Sequence, residues 1–406
     1  MKTLYALLLI LLLCKGVIAQ GDSLYQNQVL SQTDIKILFS YYAQDGQHSA
    51  VTGGAGTEKL SVYAPDFSLT SVIDTTHKIV FNGGVDVITS ASTDRIDYYM
   101  SSASLTDARF HGSLGYSYTE KNSGVEAGAA GNFSLESDYT SEGAELWLNW
   151  YDKNTMRLLG LNFQMFFDDL RWGRFDPDYK MPIRLVYPAE LRYKEWMSGY
   201  RRTSFNWNLS YTQPLGRRVN IGAAATFSWQ RGLLSTPFHR VYFSDSTEAV
   251  EKLPSQRFKV PLSLSVNVFI GKRFILRNYY RFYWDNFGIV ANTVNVEASV
   301  KATAFLTLSP FFRIHHQDGS RYFNTYGAHS AAEEYFTCDY DLSTFYSLQP
   351  GLGVRFAPYY VFKNSRATFN EFSLRYSYYR RSDGLYAHMI SSMIDLQVQG
   401  YKRRAR

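Results

Sequence analysis

Between Arg273 and Trp284 the chain sorts its side chains by parity. Phe274, Leu276, Tyr280, Phe282 and Trp284 occupy even positions, Arg273, Arg277, Tyr279, Arg281 and Tyr283 occupy odd ones, and only Ile275 and Asn278 break the order. A β-strand explains such sorting, because successive side chains point to opposite faces. One face then needs water or charged partners for its arginines, and the other needs an apolar medium. A transmembrane barrel supplies both: the closed ring pairs its backbone groups, the outer face meets hydrocarbon and the inner face meets water. One amphipathic strand of a soluble sandwich would look the same, so recurrence along the chain decides.

The pattern recurs. Ile35, Ile37, Phe39 and Tyr41 alternate with Lys36, Ser40 and Tyr42. Phe205, Trp207, Leu209 and Tyr211 alternate with Asn206, Asn208, Ser210 and Thr212, and Leu262, Leu264, Val266 and Val268 with Ser263, Ser265 and Asn267. About sixteen such segments can be drawn, an even number, as a barrel with both ends in the periplasm requires. Their connections give independent support. From a periplasmic start, connections after odd strands lie outside and are long, while those after even strands lie inside and are short. The segments 44–58, 92–106, 169–202, 231–256 and 317–342 are long and follow odd strands; the turns 74–76, 121–123, 152–154, 215–217 and 271–272 follow even ones. The departures are a long inner connection, 357–367, and short outer ones near Asp285 and Asp383. The expected fold is all-β, an antiparallel up-and-down transmembrane barrel without a plug domain.

Lys2, the apolar run Leu4 to Leu13 and the small residue Ala19 have the order of a secretory signal peptide. The expected divisions are a signal peptide at 1–19, a periplasmic leader at 20–33, the barrel at 34–402 and a basic tail at 403–406. The leader is too short to fill a lumen. Cys14 follows Leu13, where a lipoprotein site wants a small residue, so Cys338 is left as a single thiol without an internal disulfide. No apolar run reaches the roughly twenty residues of a spanning helix. Aromatic residues make up 17% of the chain, with Tyr 32 and Phe 28, which suits belts at two membrane interfaces. The net charge of +6 is spread along the sequence and points to no nucleic-acid partner.

The segment Ser40 to Leu60, with Asp45-Gly46-Gln47-His48 and Thr52-Gly53-Gly54-Ala55-Gly56 inside it, resembles the signature of a Bacteroidota outer-membrane family named domain of unknown function 3570. The resemblance implies a barrel in the outer membrane of a Gram-negative bacterium. Members tend to be encoded near flavin-transferase and thioredoxin-like proteins, which implies service to an envelope redox system with a periplasmic flavin- or haem-bearing partner. It implies no role for any residue. The chain departs from common barrel practice by running past Tyr401 into basic residues instead of ending on an aromatic one.

Three groups of residues are candidates for function. In the first long loop, Gly46, Gly53, Gly54 and Gly56 permit positive φ and close approach, and Asp45, His48, Ser49, Thr52, Thr57 and Glu58 supply polar groups. This loop reads either as an inward constriction or as a ligand or metal contact. Asp45, His48 and Ser49 also have the chemical types of a hydrolase triad, the alternative function. They are too close in sequence for the geometry and lack a nucleophile elbow, so no enzyme is expected. The second group is His48, His315, His316, His329 and His388, with Glu333, Glu334 and Cys338, which barrel closure gathers toward one rim. Imidazoles and a thiol there suit a transition metal or haem. The spacing matches no ligand motif, however, and neither metal nor cofactor is expected.

The third group lines the lumen. Arg273, Arg277, Arg281, Arg313, Arg355 and Arg375 form a basic wall, offset by Glu297, Glu371 and Asp395. Asp86, Glu126, Glu136, Glu145 and Asp168 form an acidic wall, with Lys36, Lys78 and Arg109 among them. Facing walls of opposite sign would set a transverse field across an aqueous pore. The other reading is that these charges pair between neighbouring strands while Trp147, Tyr151, Tyr279, Tyr283 and Tyr379 fill the lumen. The function expected is an outer-membrane channel or scaffold for small polar molecules.

Overall fold

The computed structural model describes residues 31–74, 76–90, 106–136, 139–170, 201–236, 239–358, 360–361 and 366–399. The signal peptide, most of the leader, the loops 91–105 and 171–200 and the basic tail lie outside them. Strands β1 (Gln32–Asp45), β2 (Leu60–Val72), β3 (His77–Ser90), β4 (Thr106–Glu120), β5 (Val125–Leu135), β6 (Thr140–Asp152), β7 (Arg157–Asp169), β8 (Arg201–Pro214) and β9 (Val219–Gly232) pair in sequence, each antiparallel to the next. A short hairpin, β10 (Arg240–Tyr242) with β11 (Glu248–Val250), stands apart from the ring. The ring resumes with β12 (Gln256–Ile270), β13 (Phe274–Asp285), β14 (Val290–Lys301), β15 (Leu306–Gln317) and β16 (Phe345–Phe356), then β18 (Ala367–Arg381) and β19 (Tyr386–Gln399). Between β16 and β18, the two-residue β17 (Tyr360–Val361) pairs with Thr368 and Phe369, which accounts for the length of that inner connection. β19 pairs with β1 from Gln32↔Gln399 to Asp45↔Tyr386, so sixteen long strands close on themselves and leave no edge.

Closure fixes the meaning of parity. Ile37, Leu114, Leu161, Leu209, Leu264 and Ile394 point outward and are exposed, Leu114 at 61%. Such a surface is stable against hydrocarbon and not against water. Aromatic rings gather at both ends of it. Phe163, Phe205, Trp229 and Phe258 stack at successive centroid distances of 6.2, 5.8 and 6.2 Å near the outer rim. His77, Tyr116 and Tyr118 cluster near the inner turns, the imidazole bonded to the Tyr116 hydroxyl at 2.6 Å. These are the interfacial belts that the aromatic content foretells.

Two expected wall residues lie off the wall. Arg273 sits in the turn before β13, and Glu136 lies one residue beyond β5, at the rim. Alternation runs through both, but ladder pairing stops before either is reached.

The buried apolar residues of the described chain collect at the outer end. Val241, Phe243, Phe336 and Cys338 form a small core, with Phe243 and Phe336 edge to face at 4.9 Å. The loops between β9 and β12 and between β15 and β16 therefore fold as one packed unit.

Candidate functional site

Inside the ring, most charge is paired. Glu297 on β14 accepts from Arg277 of β13 at 2.5 Å and from Arg375 of β18 at 2.8 Å, the second reaching over β15 and β16. Lys78 of β3 reaches over β4 to Glu126 of β5 at 2.5 Å. Side chains that bridge an interposed strand must lie on the concave face. Asp86 pairs with Arg109 at 2.5 Å, Asp168 with Arg202 at 2.7 Å, Lys36 with Asp395 at 3.9 Å, and Arg355 with Glu371. The two opposed walls are thus largely neutralised strand to strand. Among the described residues, Arg281 and Arg313 make no ion pair. Nor does Glu145, whose bond is to Asn162 at 2.5 Å. A polar row continues from there through Asn208 to Thr226. In ring order β15, which carries Arg313, stands nearly opposite β6, which carries Glu145.

The inner face leaves its charged side chains accessible. The side chains of Arg277, Arg355 and Arg375 are 48%, 52% and 44% exposed although they point into the ring. Inward aromatics lie flat against the wall, because the neighbouring strand offers glycine beneath them. A Cβ on Gly128 would overlap the Trp147 indole, and one on Gly351 would overlap the Phe311 ring. Arg375 then lies over Phe311, 4.4 Å from its centroid.

At the outer end a cavity of about 350 Å³ is lined from the barrel by Tyr42, Gln44, Tyr379, Arg381 and Met389, all of inward parity. His48, Glu58, His239, Asp339, Tyr340 and Asp341 line it from the loops, which therefore fold into the lumen mouth. The Gly-rich loop is built for this. Gly53 and Gly54 have φ of +77° and +86°, and a Cβ on Gly54 would stand 3.0 Å from the Cys338 carbonyl oxygen. His48 stacks on Tyr340 at 3.9 Å and 10°, and its main-chain N–H donates to Glu58 Oε1 at 3.1 Å. Burial raises the Glu58 carboxyl above its ordinary range. Arg381, itself buried, donates to Asp341 and to the Tyr340 carbonyl, and pairs with Asp383 at 2.5 Å. Its Nε has no partner.

His239 stands between two carboxylates. Its Nδ1 is 3.6 Å from Glu251 Oε1 and 3.9 Å from Asp339 Oδ2. Burial alone would lower the imidazole, but the adjoining Glu251 and the charges of Asp339 and Asp341 outweigh it and push it up to about 9. Burial raises Asp339 to about 6. No spacing signals this trio, because its members come from distant points of two loops. The one local hint was apolar alternation around β10 and β11.

The expected histidine cluster does not form. His329 is buried with both ring nitrogens engaged, Nδ1 with Glu333 at 2.6 Å and Nε2 with the Thr337 carbonyl at 2.9 Å. His315 faces inward and bonds Thr293 at 2.8 Å, whereas His316, one residue on, is exposed on the outer face. His388 does not approach His48. It has outward parity and bonds the hydroxyl of the exposed Tyr376 at 2.9 Å. The hydrolase geometry is also missing. Asp45 accepts from the Gly46 N–H at 2.9 Å, His48 Nδ1 lies 3.1 Å from the Gly54 carbonyl, and among the described residues no hydrogen bond joins Asp45, His48 and Ser49. Thr52 bonds the Ser49 and Ala55 carbonyls, and Thr57 caps the Lys59 N–H at 3.4 Å, so both hold the loop's shape. Burial pushes the Cys338 thiol up to about 12.

Solved structures similar to this one include proteins described as belonging to the outer membrane. One is described as a bacterial polysaccharide outer membrane secretin, at 9% identity and TM-score 0.46, covering 91% of this chain and 98% of that one. The outer membrane protein opdK from Pseudomonas aeruginosa is similar at 9% identity and TM-score 0.40, covering 90% and 99%. Acinetobacter baumannii OccAB3 is similar at 7% identity and TM-score 0.42, also covering 90% and 99%. No curated protein matches the chain. Residues 74–398, most of the sequence, match the family described as "Protein of unknown function (DUF3570)", and the chain belongs to that family.

Proposed function

We propose that this outer-membrane barrel is a channel for small polar solutes, with a lumen that favours anions and a mouth narrowed by its own loops. The observation that carries this reading is the exposure of paired arginines inside the ring, Arg277 at 48% and Arg375 at 44%, which requires water around them. The anion preference rests on Arg281, Arg313 and Lys259, which face inward and lack ion pairs among the described residues, set against the carboxylates of Glu145 and Asp34, which bond amides only. These unpaired charges set a transverse field across the lumen. In planar bilayers, Arg281→Glu with Arg313→Glu moves the reversal potential in a salt gradient toward cation preference. Arg277→Glu shifts it less in proportion, because Arg277 already faces Glu297. Absence of conductance contradicts the channel, and a reversal potential unmoved by the double change contradicts the anion preference. No geometry among the described residues favours a hydrolase, or a scaffold for a flavin- or haem-bearing partner, over this reading.

A further inference from the structure

We propose that His239, Glu251 and Asp339 bind one divalent first-row transition cation, which staples two outer loops together at the lumen mouth. The donor atoms of the three residues all lie within 4.8 Å of one another. Separations of 3.6 and 3.9 Å from Nδ1 are too long for hydrogen bonds. They suit two ligands sharing an ion at bond lengths of roughly 2.0–2.2 Å. The His239 Nδ1 is buried and has no hydrogen-bond partner, an arrangement that buried ring nitrogens rarely show.

The carboxylates are already held in place. Glu251 Oε2 accepts from the Thr236 N–H at 2.6 Å and Oε1 from the Thr337 hydroxyl at 2.5 Å. Asp339 Oδ1 accepts from the Asp341 N–H at 2.9 Å, which leaves Oδ2 toward the imidazole. Such outer bonds orient ligands and fix their affinity. Two carboxylates with a neutral imidazole balance a charge of two in a site where Glu251 is 2% exposed. One nitrogen with two oxygens suits Zn²⁺, Mn²⁺ or Fe²⁺; Ca²⁺ asks for about six to eight oxygens. His239 and Asp339 line the mouth cavity, so coordination positions left open by the protein face solute. Both come from loops that share a small apolar core, and an ion would lock that packing.

The test uses the full chain folded in detergent micelles, treated with chelator and titrated with ZnCl₂ alone by calorimetry, with bound metal counted by mass spectrometry. The expected result is one equivalent of Zn²⁺, with affinity lowered at least about tenfold by Asp339→Asn and by Glu251→Gln and unchanged by His316→Gln. Limited proteolysis of the 318–344 loop slows with Zn²⁺ in the parent and not in Asp339→Asn. Unboiled gel mobility reports folding, and Asp339→Asn keeps the test valid if Glu251→Gln does not fold. Absence of stoichiometric binding, or binding that both variants retain, overturns the site and leaves His239 as an imidazolium between two carboxylates. Neither result depends on whether the barrel conducts.

Discussion

Asp285 ties more groups together than any wall carboxylate described above. It is fully buried and accepts from the N–H groups of Phe287 and Ile289, each at 3.0 Å, from Arg257 Nε at 2.9 Å and from the Tyr283 hydroxyl at 2.8 Å. Asp285→Ala would leave the Arg257 guanidinium without its counter-charge, at a cost of about 3–5 kcal/mol. Urea unfolding of the folded barrel in micelles measures it, and a loss under about 1 kcal/mol is incompatible with this role. In the sequence, Asp285 marked only an unusually short outer connection. Its partner Arg257 lies on the preceding strand, and nothing local names that pairing. His388 shows the converse. Closure correctly brings its strand beside β1, but parity turns its side chain outward to Tyr376.

At the scale of the strand, legibility follows from period. Two-residue alternation is local, so the strands, their faces and the short inner turns could be read directly, including the order of long and short connections. The outer loops could not. Their contacts, such as Gly54 against Cys338 or Lys252 against Phe336, join segments far apart in sequence. Lumen pairing was half legible: alternation placed the charges on one face, but which arginine meets which carboxylate depends on register and on reach over an intervening strand. Adjacent positions on β7 give a sharp test of facing. Leu161→Arg puts a charge in hydrocarbon and costs about 2–4 kcal/mol near the membrane midplane. Asn162→Arg, one residue along, adds a cation beside Glu145 in water and leaves unfolding within about 1 kcal/mol of the parent. Equal losses for the two would be inconsistent with the assigned faces.

For the whole molecule, one proposition underlies fold, location and the proposed transport: water fills the ring and lipid surrounds it. Flat-lying Trp147 and Phe311 over glycine, and arginines half exposed on the concave side, follow from it. So does the outward surface of Leu, Ile and aromatic residues. Thiol accessibility on β13 tests it most directly, since Cys338 is 1% exposed and stays silent. Leu276→Cys, Arg277→Cys, Tyr280→Cys and Arg281→Cys are each reconstituted in lipid vesicles and exposed to a charged, water-soluble thiol reagent. Rapid labelling at 277 and 281, with protection at 276 and 280, is the predicted result; labelling that is uniform, or fastest at 276 and 280, would contradict it.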